Sequence, residues 1–188
     1  MLEKRRQSAR MPDVGGLTCK VARRQLSVVA EWYNKRTLIL GCGNVLFGDD
    51  GFGPAVAEYC QRNWAIPAHV CVLDAGTSVR NILFDVLLSD VRPSRIVIVD
   101  AIDRALEPGA LFNLDIDSLP DAKTDDFSMH QVPTSNLLRE LRDLCGVDVS
   151  VLACQVVRIP EEVSPGLSQP VARAVARAAE ILAHDHLG

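Results

Sequence analysis

Apolar residues in this chain fall into short blocks, separated by segments where they recur every three or four positions. The blocks at 37–40 (TLIL), 69–74 (HVCVLD), 95–100 (RIVIVD) and 150–157 (SVLACQVV) read as strands. In RIVIVD the apolar residues are continuous rather than alternating, as expected for a strand buried on both faces. Between the blocks, Phe52, Val56, Cys60 and Trp64 recur at helical spacing, and Pro54 suits the first turn of the helix they predict. Val79, Ile82, Leu83, Val86 and Leu87 line one face of a second helix, and Leu137, Leu138, Leu141, Leu144 and Cys145 one face of a third. Leu167, Val171, Val175, Ala178 and Leu182 line a fourth.

One segment breaks the alternation of strand and helix. The connector AIDRALEPG at 101–109 is too short for a parallel crossover, which takes a dozen or more residues. The strand that follows it, ALFNLDI at 110–116, should therefore run antiparallel to its predecessor. Its alternation places Phe112, Leu114 and Ile116 on one side and Asn113 and Asp115 on the other, which suits an edge strand. The pattern as a whole predicts a three-layer α/β fold, with a twisted, mostly parallel five-stranded sheet, helices on both faces and one antiparallel edge strand.

At 188 residues the chain suits a single domain. Aromatics make up only 5% of it, so the core must be mostly Val, Leu, Ile and Ala. No apolar run approaches the ~20 residues of a membrane span, and the basic N-terminus lacks the apolar stretch of a secretory signal. Charge is uneven. Residues 1–36 hold nine Lys or Arg against three Asp or Glu, net +6, whereas 37–188 hold eleven against twenty-one, net −10. The acidic body argues against nucleic acid as a partner. The basic leader at 1–36 has no clear period; it reads as a disordered tail or as coding sequence upstream of a start at Met11, which leaves 37–188 as the working domain. None of the six cysteines form a C-x-x-C pair, which points to a reducing cytoplasm and against a disulfide framework or zinc ribbon.

Candidate chemistry gathers where the strands end. The first strand runs into GCGNVLFGDDGFG, a glycine-rich turn ahead of a helix. Such turns often cradle phosphate, but this one carries Asp49 and Asp50 and matches neither G-x-G-x-x-G nor a P-loop. A like-charge contact near 4 Å costs about 4 kcal/mol at an effective dielectric of about 20, more than a helix N-terminus can offset. The second strand ends at Asp74 in LDAGT and the third at Asp100 in VDAID. Ligands in folds of this kind bind beyond the C-terminal ends of parallel strands, so Asp50, Asp74 and Asp100 should share one crevice. His130, between an acidic loop at 117–131 and the third helix, is placed to join them. Carboxylates with one imidazole suit a divalent ion such as nickel or manganese, or general acid–base work. Each residue also has a plainer reading: Asp50 and Asp74 as caps, Asp49 as a cap or turn residue, Asp100 as a loop anchor, His130 as an ordinary loop residue.

Four motifs, GCGNVLFGDDGFGPAVAE, DAGT, VDAID and FSMHQ, together and in this order resemble the maturation endopeptidases of nickel–iron hydrogenases over about 37–183. The resemblance implies a peptidase, classed as aspartic-type, that removes a C-terminal extension from the precursor of the hydrogenase large subunit. It acts once nickel is in place. Asp50, Asp100 and His130 match the positions that contact the metal, and Asp74 matches a further functional position. Relatives often carry Glu where Asp50 stands. Nickel would then be carried by the substrate rather than held permanently. Asn44, Gly76 and Thr77, in the same turns, are the expected substrate contacts. The expectation is a cytoplasmic, monomeric enzyme with no nucleic-acid or membrane partner. The alternatives are a metallopeptidase with its own zinc or manganese, a nucleotide- or small-molecule-binding module, and a nickel-sensing chaperone that does not cut.

Overall fold

The computed structural model describes residues 31–118 and 135–187. The elements follow the apolar blocks: β1 (Thr37–Cys42), α1 (Phe52–Asn63), β2 (Val70–Gly76), α2 (Val79–Leu88), β3 (Arg95–Ile102), β4 (Leu111–Leu114), α3 (Ser135–Asp143), β5 (Asp148–Gln155) and α4 (Gln169–Leu182). One-turn 3-10 segments sit at Gly48–Gly51 and Ile116–Ser118, and α4 runs out into a π-helical turn at Ala183–Leu187. Residues 32–36 are tied to the sheet: the Arg36 amide donates to the His69 carbonyl, and the Arg36 carbonyl accepts from Ser94 and Arg95.

The five strands form one sheet in the order β2-β1-β3-β5-β4. All neighbours are parallel except β4 with β5. β4 is thus an antiparallel edge strand, as its alternation predicts, and β5 lies between it and β3. It is shorter than 110–116, because the chain turns at Ile116, whose side chain is buried from a 3-10 turn rather than from the strand.

Side chains alternate across the sheet. Ile39, Val97, Val99, Leu152 and Cys154 pack with Phe52, Val56 and Cys60 of α1 and with Val171, Ala174 and Ala178 of α4. The intervening residues Leu38, Leu40, Ile96, Ile98 and Val151 are buried on the opposite face, where α2 and α3 contribute Leu83, Val86, Leu138 and Leu141. This is the predicted three-layer arrangement. Four residues read into helix faces lie beyond the helices. Trp64 is the extended residue ending α1, Leu144 and Cys145 follow α3 with Leu144 exposed, and Leu167 precedes α4. Helical spacing runs past the helix ends by chance: Leu144 is exposed, whereas Trp64 and Leu167 pack against the core from outside their helices.

The chain leaves β1 for β2 on one side, then crosses back over β1 to reach β3 on the other. This reversal of winding opens a crevice beyond the C-terminal ends of β1 and β3. Among the described residues, no helix is long and apolar enough to cross a membrane.

Candidate functional site

The site is built from the turn after β1. Gly43, at φ +122°, takes a conformation that side-chain-bearing residues rarely adopt. A Cβ there would also collide with the Asp50 carbonyl. The turn folds back so that the Asn44 amide donates to Asp50 Oδ2 at 2.7 Å, while Asn44 Oδ1 accepts from the Leu46 amide at 3.0 Å. Asp50 is 2% exposed. It does not act as the side-chain cap of α1: the N-cap is Gly51, with no side-chain cap bond. The carboxylate instead sits on the residue just before the N-cap, where the aligned N–H dipoles favour its charge.

Asp100 comes from β3, opposite Ala153 of β5. It is 5% exposed, and its Oδ1 accepts from the Ala101 amide at 2.8 Å. Burial pushes its carboxyl up to about 7; the Ala101 bond works against the rise and the Asp50 charge adds to it. Asp74, the third strand-end carboxylate, lies beside Gly41 in the β1–β2 register and is exposed. Cys42, the last residue of β1, shows that the three converge. Burial raises its thiol pKa most, and the charges of Asp100, Asp74 and Asp50 raise it further. Burial and the neighbouring carboxylates thus favour the protonated thiol, the weaker nucleophile.

The register of β1 against β2 shifts between Gly41 and Cys42, so that Cys42 pairs with Gly76. The Gly43 amide donates to the Gly76 carbonyl at 3.2 Å. Gly76 is itself in the left-handed region at φ +50°. This irregularity joins the first turn to the DAGT turn and sets Asp74 beside it, a common use of bulges at sites. Thr77 follows, exposed to solvent. His130 lies outside the described residues. Among the described residues, no three His, Cys, Asp or Glu side chains are grouped to hold a metal ion.

Two buried polar residues frame the crevice. Asp49 is read from sequence as a cap or turn residue, and the structure gives it a longer reach. Its carboxylate accepts from the Val157 amide at 2.9 Å, the Ser168 amide at 2.6 Å and the Ser168 hydroxyl at 3.0 Å. It thus clamps the first turn to the start of α4. Gln155 has no counterpart among the sequence-derived candidates. Its Oε1 accepts from the Arg104 and Leu106 amides, and its Nε2 donates to Asp103 Oδ1 and to the Val156 carbonyl. This saturates a buried amide and holds the loop that follows Asp100. Asp49→Ala leaves the Val157 and Ser168 amides without their acceptor. The expected cost is about 3 kcal/mol, seen as a melting temperature lower by roughly 10 °C.

The geometry thus presents two buried carboxylates and one exposed carboxylate around the end of β1, at the crevice of an α/β sheet. Known proteins share both the sequence and the architecture. The profile of the hydrogenase maturation proteases matches residues 54–185. A Methanocaldococcus jannaschii protein named as a hydrogenase maturation protease is 42% identical, over 79% of this chain and 94% of its own length. The coenzyme F420 hydrogenase subunit delta of Methanothermobacter thermautotrophicus is 33% identical, over 80% of this chain and 94% of its own. Among solved structures, the [NiFe] hydrogenase maturation protease HycI from Thermococcus kodakarensis superposes with a TM-score of 0.61 at 25% identity, covering 85% of this chain and 97% of that one. The endopeptidase HybD of Escherichia coli gives 0.59 at 26% identity, covering 79% and 90%. A carboxylate-lined crevice in a peptidase architecture, a profile that spans most of the folded body and relatives alike over nearly their full length agree: the chain belongs to the hydrogenase maturation protease family.

Proposed function

We propose that this chain removes the C-terminal extension from the precursor of a nickel–iron hydrogenase large subunit after nickel insertion, and that nickel carried by the substrate is what it recognises. The observation that carries this reading is the convergence of Asp50 and Asp100 at the crevice between β1 and β3. The resemblance adds His130 to them, and these three are the residues we assign to contact the metal that the substrate carries. Asp100 is raised to about 7 and is therefore partly protonated at neutral pH. An approaching dication favours the carboxylate and expels that proton, so docking and charge are coupled. Asp74 is the exposed member of the three, accessible to the attacking water, and serves as its base while nickel polarises the scissile carbonyl. Asn44 holds Asp50 in place, and the Gly76–Thr77 turn lies along the path of the substrate chain.

The relation to a coenzyme F420 hydrogenase subunit supports a precursor from the cofactor-reducing hydrogenases. The five described cysteines are all free thiols, which favours a reducing cytoplasm. The enzyme works as a monomer, with no nucleic-acid or membrane partner.

The test is an intact-mass measurement on nickel-loaded precursor incubated with the purified protein, alongside elemental analysis of the protein alone. Loss of a C-terminal peptide and no stoichiometric metal are expected. Binding without cleavage would make the chain a chaperone, and one tightly held zinc or manganese would make it a self-sufficient metallopeptidase.

A further inference from the structure

Four apolar side chains stand exposed on the two loops that flank the carboxylate crevice. Val45 (53% exposed) and Leu46 (47%) belong to the turn after β1, and Val157 (50%) and Val163 (65%) to the loop between β5 and α4. Single exposed apolar residues are ordinary. These four are not scattered, because the two loops are bonded to each other. The Gly48 amide donates to the Ser164 carbonyl at 2.9 Å and the Ser164 amide donates to the Leu46 carbonyl at 2.9 Å, while Phe47 and Ser164 form an isolated parallel bridge. The buried Asp49 adds its bonds to Val157 and Ser168. Val45 is pressed against the start of α1, its Cα about 3.1 Å from where a Cβ on Gly51 would stand.

The backbones are therefore fixed while the apolar side chains are left in water. Folding gains nothing from that exposure, and a partner can. The same β5–α4 loop also exposes the charges of Arg158, Glu161 and Glu162, so apolar and charged side chains are mixed there as on protein-binding surfaces. The patch is also continuous with the site. The Leu46 amide is held by Asn44, whose own amide is held by Asp50. Val45 and Leu46 thus belong to the same turn as Asn44, the residue that holds Asp50.

We infer that Val45, Leu46, Val157 and Val163 form the docking surface for an apolar stretch of the precursor polypeptide next to the bond to be cut. This rests on the reading of the chain as a precursor-processing peptidase. The surface supplies affinity that does not depend on metal, whereas the carboxylates test for nickel. A rigid apolar surface loses little entropy on binding, which is why a fixed loop suits this role better than a flexible one.

The test uses Leu46→Glu, Val163→Glu and the double variant, with Leu46→Met as the conservative change. Binding of nickel-loaded precursor and its cleavage are measured separately. Because the side chains are exposed, melting temperatures should stay within about 2 °C of the wild type. The double variant should bind precursor at least about 10-fold more weakly, with KM raised and kcat within about twofold, and Leu46→Met should behave as the wild type. Charged variants that are folded and bind with unchanged affinity would overturn the docking surface. Wild-type protein that binds precursor without cutting it would overturn the proposed activity, and the docking surface would then stand or fall on the binding data. Failure of the wild type even to bind would overturn both.

Discussion

Replacing Asp100 by Asn is expected to lower processing of nickel-loaded precursor by at least about 100-fold while making the free protein more stable above pH 7. Both effects have one origin. Asp100 is buried at the end of β3, and its carboxyl titrates near 7 instead of near 3.8 because charge is costly there. Its folded pKa is raised above the unfolded one, so the unfolded chain releases this proton first as pH rises. The residue's contribution to stability is fully present below about pH 4. It declines as pH rises through the folded value and is lost above about pH 7. The shift corresponds to about 4 kcal/mol at most. Asn has the same shape and keeps an oxygen that can accept from the Ala101 amide, but it does not titrate. Melts of wild type and variant should nearly coincide at pH 4 and separate progressively up to pH 7, with the variant higher. Parallel curves would mean that the Asp100 carboxyl is not raised in the folded protein. A group that destabilises its own fold when charged is a mark of function rather than of packing.

Gly53→Ala should prevent normal folding, with a cost of about 3 kcal/mol or more measured by denaturant titration. Gly53 lies in the first turn of α1, where a Cβ would overlap the backbone oxygens of both Cys42 and Val99. Gly41 in β1 faces it, and a Cβ there would strike the Gly53 carbonyl. The two glycines let the start of α1 rest directly on β1 and β3. That contact brings the Asp50 turn over the end of β3 and hence toward Asp100. Gly146→Ala is the matched control. At φ +67° it is strained, but nothing stands within 4 Å of its Cβ, so the cost should be about 1 kcal/mol. Equal effects at the two positions would show that close approach is not what Gly53 provides.

The layers and the convergence of Asp50, Asp74 and Asp100 were legible because they depend on local pattern. Apolar runs such as RIVIVD mark buried strands, and the ends of parallel strands meet at one edge. Asp49 shows where such reading stops. Its acceptor role depends on Val157 and Ser168, 108 and 119 residues away, and no local spacing encodes that pairing. Gln155 was hidden in the same way, since its partners at Asp103, Arg104 and Leu106 lie in the β3–β4 loop, about fifty residues away in sequence. A polar residue within an otherwise apolar strand block was the one signal available for it. Leu144 misled because helical spacing continued past the turn that ends α3. The placement of β5 between β3 and β4 could not be read from the strand pattern, which carries direction more clearly than neighbour order.

The most direct test of nickel recognition compares cleavage rates for one precursor with and without nickel loaded, at equal concentration and at saturating enzyme. Cleavage confined to the loaded precursor, and lost from it in Asp50→Ala, is the expected result. Equal rates on loaded and nickel-free precursor would contradict it.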